Sequence, residues 1–378
     1  MGRILTEKDV EPAVRGGSVY AAGGGGWADH GRMLGLAAVR IGKPELVDGR
    51  RTGLEMTGSP PPPRSARRPV PQPGKCRAST TSRRCGCCRK RLGEPLAALM
   101  VGQNGRSSTL NGWLPSAILG TKVLDAVGDI RAHPTGDMGS IGLAASPEPM
   151  IQTAVGGNRA DNRYIELVVR GATAKVSPIL RTASDMSGGF IASARNPVRA
   201  SYVRKNAALG GISMALSLGE AIVAAEGARV AARAPPSSTR SARRRAATSP
   251  SPAGSPRRTS STPTPPSTSA PSSSARGDKA TTLHVMNEYM AIDDAGGTRL
   301  ATFPDVITTL DKDGEPLSVG QLHVGMTVHV LHVPKAIIPL SAGVLDPSVY
   351  PPVEAAMGIE IARYVFEEAP KKKRKSKK

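Results

Sequence analysis

The chain has 378 residues, of which 39% are hydrophobic and 3% aromatic, and its formal net charge is +21. This length is sufficient for two ordinary domains, and no run of about 18 apolar residues argues for a membrane span. A charge of this sign and size usually indicates binding to nucleic acid, but its distribution along the chain argues against that class.

The positive charge is concentrated in three segments. Residues 49–91 contain twelve Lys or Arg and one acid, residues 229–276 nine and none, and residues 370–378 seven and none. Setting aside their +11, +9 and +7 leaves −6, the charge of a mildly acidic protein. The first two segments have few large aliphatic residues, so as written they are predicted to be disordered. The first also holds all four cysteines (Cys76, Cys85, Cys87, Cys88). Because nothing in the rest of the chain suggests a disulfide, a reducing compartment is expected.

The elements predicted for the first domain, residues 1–165, alternate between helix and strand. A helix over Thr6–Arg15 is closed by Gly16-Gly17, a strand follows at Ser18–Ala22, and Gly23–Gly26 leads into a helix at Ala28–Ile41. After the first basic segment come a buried strand at Leu96–Val101 with a turn, a helix at Trp113–Leu119 and a strand at Lys122–Ala126. This alternation predicts an α/β N-terminal domain.

The predicted second domain, residues 166–365, is β-rich with one embedded helix and is followed by a basic tail, residues 366–378. Strands are predicted in "YIELVVRG", "TAKVSPIL", "SGGFIASA", "TTLHVMNEYMAID", "RLATFPDVITTLD" and "GMTVHVLHVP". One long helix is predicted at about Pro197–Glu226, where apolar residues recur near helical spacing.

The two basic segments have the composition that a GC-rich gene gives when it is translated one base out of frame. With GC-rich codons chosen for Pro266–Ser274, a one-base offset gives FDVGTIEL; the same offset applied to Ser79–Arg89 gives DYVEAVRLLQ. The first string is strand-like and the second has helical spacing. We therefore predict a frame change in both segments, with true low-complexity linkers as the alternative.

The remaining sequence resembles a known family. The strings "LTEKDVEPAVRGGSVYAAGGGGWADHGRMLGLAA", "DAVGDIRAHPTGDMGSIGLAA", "NEYM" and "FPDVITTLD" are similar to the S-methyl thiohydantoin desulfurase family, a former domain-of-unknown-function family whose members are associated with hydantoinase and oxoprolinase proteins. The resemblance covers about Gly2–Val47, Leu92–Ala228 and Lys279–Pro352. It implies an α/β domain with a β-rich C-terminal domain, and hydrolytic removal of a methylthio group from a hydantoin-like ring.

One motif departs from the family pattern. Where many members read like DADGxGRAxPE, this chain keeps Asp125, Gly128, Arg131 and Pro134, and differs at Val127, Ile130 and Thr135. The departures leave the identity of the substrate open.

The segment Asp125–Ser140 contains the highest density of side chains suited to hydrolysis. It follows a predicted strand, and ligands of α/β sheets tend to bind at the carboxyl ends of strands. We predict His133 or Asp125 as the general base, Asp137 as a further catalytic residue and Arg131 as the anchor of a ring oxygen. The alternative is a structural loop in which Asp125 caps backbone amides.

Two other stretches are predicted to contribute to substrate binding. The backbone of Gly24, Gly25 and Gly26 can present N–H groups to an anion at a helix start, although a tight turn for close packing is the alternative; Asp29 and His30 are then expected at the edge of the site. Asn287 and Glu288 interrupt an apolar strand, and the family resemblance favours placing them in the site.

No spacing of His, Cys, Asp or Glu is diagnostic of a metal, so none is predicted and the cofactor stays open. The expected partner is a small hydantoin-like molecule, with a cytoplasmic location and no membrane. The competing hypotheses are a nucleic-acid-associated protein that uses the Arg-rich segments and the tail, and a chain that is inactive as written because two stretches of core are lost.

Overall fold

The computed structural model describes residues 2–50, 57–59, 96–233, 272–276 and 279–366, with the side chains of residues 57–59, 228–233 and 272–280 not described. Most of the two anomalous segments, all four cysteines and nearly all of the basic tail lie outside these residues, and so do the predictions made for them. None of the helices in the described ranges combines the length and apolar composition needed to cross a membrane.

The N-terminal part alternates between strands and helices, as the sequence predicts. Its elements are β1 (Arg3–Ile4), α1 (Glu7–Tyr20), α2 (Ala28–Ile41), β2 (Glu45–Asp48), β3 (Thr57–Ser59), β4 (Ala98–Val101), α3 (Trp113–Leu119), β5 (Lys122–Val127) and β6 (Met150–Gly156).

The C-terminal part is rich in strands and contains embedded helices. Its elements are β7 (Ile165–Gly171), α4 (Thr173–Met186), β8 (Ile191–Val198), α5 (Ala200–Asn206), β9 (Ala208–Leu209), α6 (Gly211–Arg233), β10 (Ser272–Arg276), β11 (Lys279–Met286), β12 (Glu288–Asp294), β13 (Arg299–Thr302), β14 (Val306–Leu310), β15 (His329–Val333), α7 (Pro351–Met357) and α8 (Ala362–Phe366). The predicted fold class is confirmed.

The described strands form one large sheet and two small ones. The large sheet has the order β1-β2-β5-β4-β3-β8-β6-β7, with β9 beside β5, and its centre β2-β5-β4-β3 is parallel. Strands β10–β13 form a second sheet and β14–β15 a third. The large sheet contains strands from both sides of residue 165, and the division into domains there stays a prediction.

Helix α1 differs from the sequence prediction at its C-terminal end. It begins with a capping box in which Thr6 N and Oγ1 donate to Asp9 Oδ2 at 2.7 and 2.8 Å. The helix then continues through Gly16-Gly17 to Tyr20, so the predicted strand at Ser18–Ala22 is wrong. A Cβ on Gly16 would overlap the carbonyl of Ala215 in α6. The glycine therefore permits close contact between two helices and does not end one.

Two predictions in the C-terminal part are also wrong in type or extent. The stretch "TAKVSPIL" lies in helix α4, whose buried Val176, Leu180 and Ala183 follow helical spacing. The predicted helix at Pro197–Glu226 is divided into α5 and α6 by the short strand β9, which pairs with β5.

The main core lies between the parallel strands and the helices α1, α2 and α6. Val14 of α1, Trp113 of α3, Val123 of β5 and Leu216 of α6 are all fully or nearly fully buried in this cluster. A second cluster, which includes Phe303 and Tyr350, anchors the C-terminal helices beside the small sheets. The loops at the carboxyl ends of β4 and β5 emerge between these two clusters.

Candidate functional site

The loops that follow the neighbouring parallel strands β4 and β5 are joined to each other. Gly128 N donates to Val101 O at 3.1 Å, Asn104 N donates to Asp129 O at 3.3 Å, and His133 N donates to the Gln103 side chain at 3.1 Å. The carboxyl edge of a parallel sheet is the usual location of ligand sites in α/β proteins. The predicted site segment therefore lies where that rule places it, in contact with a second loop that the sequence analysis interpreted only as a turn.

His133 and Asp129 form a buried pair in the loop after β5. His133 Nδ1 lies 3.5 Å from Asp129 Oδ2, and the two side chains are 3% and 0% exposed. A carboxylate beside Nδ1 restricts the orientation of the imidazole ring. Gly139 packs against the other side of the ring, and a Cβ there would lie 2.5 Å from Nε2. The arrangement has the groups that a general base requires.

Asp125 lies at the N-terminus of helix α6. Its Oδ1 accepts hydrogen bonds from the backbone N–H groups of Ile212 and Ser213, both at 3.0 Å, and its Oδ2 accepts one from Ser213 Oγ at 2.6 Å. A carboxylate at a helix N-terminus satisfies otherwise unpaired donors and interacts favourably with the helix dipole. These contacts favour the capping interpretation of Asp125 over a role as the base.

Arg131 is fully buried and points into the C-terminal part. Its guanidinium donates to the carbonyl oxygens of Ala132 (2.9 Å), Asp305 (2.8 Å) and Tyr289 (2.7 Å), and it lies 5.0 Å from the Phe303 ring centroid. Burial lowers the pKa of Arg131, although the nearby carboxylates of Asp129, Glu288 and Asp305 oppose that shift. The guanidinium thus connects the loop after β5 to the small sheets, which favours a positioning role over that of a substrate anchor.

Asp137 belongs to a polar cluster beside α4. Its Oδ1 accepts a hydrogen bond from Ser177 Oγ at 2.9 Å, and Ser177 Oγ accepts one from Arg195 Nη1 at 3.5 Å. Burial lowers the pKa of Arg195 to about 10, and the nearby Asp137 partly offsets this. Asp137 therefore connects the loop after β5 to α4 and helps to position that loop.

The glycine turn, residues 23–26, is packed from several sides. A Cβ on Gly24 would overlap the Glu288 carboxylate, one on Gly25 would lie 2.7 Å from the Gly105 Cα, and one on Gly26 would overlap Ser107 Oγ. A carboxylate against Gly24 repels an anion, so these contacts favour the close-packing interpretation of the turn. Asp29, just after it, is exposed and pairs with Arg32 at 2.9 Å.

Asn287 and Glu288 have different environments although they are adjacent. Asn287 is exposed at the turn between β11 and β12, with φ of 69°, a conformation that Asn tolerates better than most residues. Glu288 is 2% exposed and faces the glycine turn. The structure therefore brings Glu288, and not Asn287, against the loops at the sheet edge.

The loop after β4 carries polar residues that the sequence analysis did not select. Their shared feature is burial: Gln103, Asn104, Arg106, Ser107, Ser108, Thr109 and Asn111 are each at most 7% exposed. Arg106 donates to Pro316 O at 2.8 Å, which links this loop to the C-terminal part. The signal was present as a polar run directly after an apolar strand, "ALMVGQNGRSSTLN", because such a run is expected to be exposed unless it lines a site.

No group of three or more His, Cys, Asp or Glu in the described ranges is arranged to hold a metal ion. His332 Nε2 instead pairs with Asp305 Oδ2 at 2.7 Å, and His329 is exposed on β15.

The fold is that of an α/β protein with a β-rich C-terminal part, and comparison with known families refines this class. Residues 172–338 match the family described as S-Me-THD-like, C-terminal domain. This match confirms the resemblance identified from the sequence for the C-terminal part of the chain. The match begins at α4 and ends after β15, so it includes Arg195 and Glu288.

A solved structure shares the fold over most of the chain. It is an X-ray crystal structure of a protein from Chromobacterium violaceum, with a TM-score of 0.65 and 21% sequence identity, and the alignment covers 88% of this chain and 92% of that one. At this identity the similarity supports the fold alone. No curated protein matches the chain significantly.

Proposed function

We propose that the protein hydrolyses S-methyl thiohydantoins, releasing methanethiol and leaving a hydantoin. The proposal is supported at family level, because residues 172–338 match the S-Me-THD-like domain and resemblance to that family implies hydantoin-type chemistry. The observation that carries it in this chain is the buried His133–Asp129 pair at the carboxyl edge of the parallel strands. Hydantoinase- and oxoprolinase-type proteins are the partners expected from the same resemblance.

The reaction requires one water molecule and one proton acceptor. His133 removes a proton from water as its oxygen attacks the ring carbon that carries the methylthio group. The carbon–sulfur bond of the resulting tetrahedral adduct then breaks, and His133 returns the proton to the leaving thiolate. The remaining proton of the added hydroxyl moves to the ring nitrogen as the new C=O bond forms. Water and the S-methyl thiohydantoin are thereby converted to the hydantoin and methanethiol, with no oxidant or reductant.

The neighbouring charged groups have positioning roles in this proposal. Asp129 orients the imidazole through Nδ1, and Asp125 and Arg131 hold the two ends of the loop on α6 and on the small sheets. Glu288 lies near enough to Arg131 to raise the pKa of that guanidinium, and its carboxylate packs against Gly24. In this proposal His133 is therefore the base, and the other predicted site residues fix its surroundings.

The test is release of methanethiol from 5-substituted S-methyl thiohydantoins, followed with a thiol reagent. His133→Gln is expected to lower kcat/KM by about 10²–10⁴-fold, the range for loss of a general base. His329→Gln is the matched control, because His329 is exposed on β15. Release by His133→Gln at the wild-type rate would show that the base is assigned wrongly.

A folding measurement must accompany the assay because of the third hypothesis, that the chain as written is inactive. A cooperative thermal melt of the purified chain excludes loss of the fold. A folded protein that releases no methanethiol from any such substrate would contradict the proposed function. The nucleic-acid alternative rests on segments that lie largely outside the described residues, and no observation in the described ranges favours it.

A further inference from the structure

Three aromatic rings from two distant parts of the chain meet beside the glycine turn. The ring centroids of Trp27 and His30 are 6.3 Å apart, those of Trp27 and Phe190 6.2 Å, and those of His30 and Phe190 5.6 Å. These three residues are called the aromatic cluster. Phe, Trp and Tyr together make up only 3% of the chain, so contact between two of them, Trp27 and Phe190, is not expected from composition alone.

The aromatic cluster is continuous with the loops at the sheet edge. Trp27 directly follows the glycine turn, and His30 lies in the first turn of α2. The residues on either side of this segment, Gly26 and Gly31, both pack against Ser107 of the loop after β4. Phe190 directly precedes β8 in the S-Me-THD-like part, so both halves of the chain contribute to the cluster.

Two polar atoms at this position are buried without a hydrogen-bond partner among the residues that the structure describes: His30 Nε2 and Ser107 Oγ. An unpaired buried polar group destabilises a protein, so a fold usually supplies a partner. At the same position Trp27 remains 42% exposed although its ring contacts two others. Burial also lowers the pKa of His30, which keeps its imidazole neutral and able to donate or accept one hydrogen bond.

We propose that the aromatic cluster and Ser107 form the subsite for the flat, neutral five-membered ring of the substrate and its apolar 5-substituent. The ring face stacks on Trp27, the 5-substituent contacts Phe190, and the polar edge of the ring pairs with His30 Nε2 and Ser107 Oγ. This assignment rests on the proposed function, because it names the part of the site that selects the substrate. It predicts a preference for large apolar 5-substituents and weak binding of charged, ring-opened compounds.

The chain allows a direct optical test because it contains two tryptophans in different environments. Trp113 is fully buried in the core, whereas Trp27 is partly exposed in the cluster. The hydantoin product is the probe, so binding is measured without turnover. Addition of 5-benzylhydantoin to the full chain is expected to change the fluorescence of Trp27, and this change is expected to disappear in Trp27→Phe. The open-chain acid, N-carbamoylphenylalanine, is expected to bind at least tenfold more weakly.

Variants of the polar and apolar groups separate binding from packing. Phe190→Ala and Ser107→Ala are each expected to weaken binding of 5-benzylhydantoin, with a loss of about 2- to 10-fold for the single hydrogen bond of Ser107. Phe366→Ala and Ser146→Ala are the matched controls, since both residues lie outside the site, and they are expected to leave binding unchanged. A cooperative melt of each variant establishes that it is folded.

The outcomes distinguish this inference from the proposed function. Binding that depends on Phe190 and Ser107, without methanethiol release from the S-methylated compound, supports the subsite and contradicts the desulfurase activity. Methanethiol release that is unaffected by Trp27→Phe, Phe190→Ala and Ser107→Ala, with no fluorescence change on adding product, supports the activity and overturns the subsite. Absence of binding to a folded wild-type chain also overturns the subsite.

Discussion

Two sets of buried polar side chains lie at the same edge of the large sheet and differ in how they are satisfied. Asp125 accepts three hydrogen bonds at the start of α6, and Arg131 donates to three carbonyl oxygens. His30 and Ser107 each bury a polar atom that has no partner within the described ranges. The first set holds the fold together, whereas the second belongs to the subsite proposed above. Burial alone therefore does not separate these two sets, whereas hydrogen-bond satisfaction does.

The largest effect on stability is expected for Arg131→Met. The change removes three hydrogen bonds between the loop after β5 and its surroundings and leaves the Asp129 and Glu288 carboxylates without the nearby cation. Breaking a buried charge interaction of this kind costs about 3–5 kcal/mol in free energy of unfolding. Chemical denaturation measures it, and Arg170→Met on the exposed face of β7 is the control. A loss below about 1 kcal/mol would contradict the structural role of Arg131.

A smaller loss of stability is expected for Asp125→Asn. The amide keeps one acceptor oxygen but loses the charge at the N-terminus of α6, at a cost of about 1 kcal/mol. The exposed Asp185→Asn is the control. If Asp125 were instead the base, the variant would lose at least about 100-fold in methanethiol release with its stability unchanged.

Ser107→Ala is expected to leave the free energy of unfolding within about 0.5 kcal/mol of wild type, because the hydroxyl that it removes has no protein partner in the described ranges. Ser213→Ala is the comparison, since Ser213 Oγ donates to Asp125 of the first set at 2.6 Å, and it is expected to lose about 1 kcal/mol. Equal losses in the two variants would remove the distinction between the sets.

The smallest effect is a pH dependence that originates at His30. Burial lowers its pKa below the ordinary value of 6.5, so the unfolded chain binds a proton at a pH where the folded chain does not. The contribution of His30 to stability is therefore complete above about pH 6.5 and is lost as the pH falls below it. The measurement is the difference in Tm between pH 8 and pH 5, which should be smaller in His30→Gln than in wild type. If the Tm difference between pH 8 and pH 5 were the same in His30→Gln and wild type, the result would contradict burial of the His30 imidazole.

Local signals in the sequence were sufficient for several elements near the site. Helix α2 was predicted with the bounds that the structure shows, and the order β4, α3, β5 followed from apolar runs separated by glycine turns. The location of the loop after β5 at the site also followed from the general rule for α/β sheets. These features depend on residues that are close together in the chain.

Other features could not be obtained in this way because they depend on contacts between distant residues. Gly219 was part of a predicted helix, but nothing in the sequence explained a glycine there. In the structure, a Cβ at this position would overlap the carbonyl of Pro12 in α1. Asp125 and His133 were equivalent candidates for the base until the structure placed the first at a helix start and the second beside Asp129. Trp27 and Phe190 carry no shared motif, and only folding brings their rings together.

The sequence by itself determined the α/β character of the first half, the strand-rich character of the second, the family of the C-terminal part and the segment most suited to chemistry. These follow from periodicity, turn residues and motif spacing, which are local properties. The tertiary structure decided which polar residues find a hydrogen-bond partner in the described part of the protein and which do not. That distinction depends on the partners found by each donor and acceptor, and several of these partners are far away in the chain, such as Asp305 and Tyr289 for Arg131.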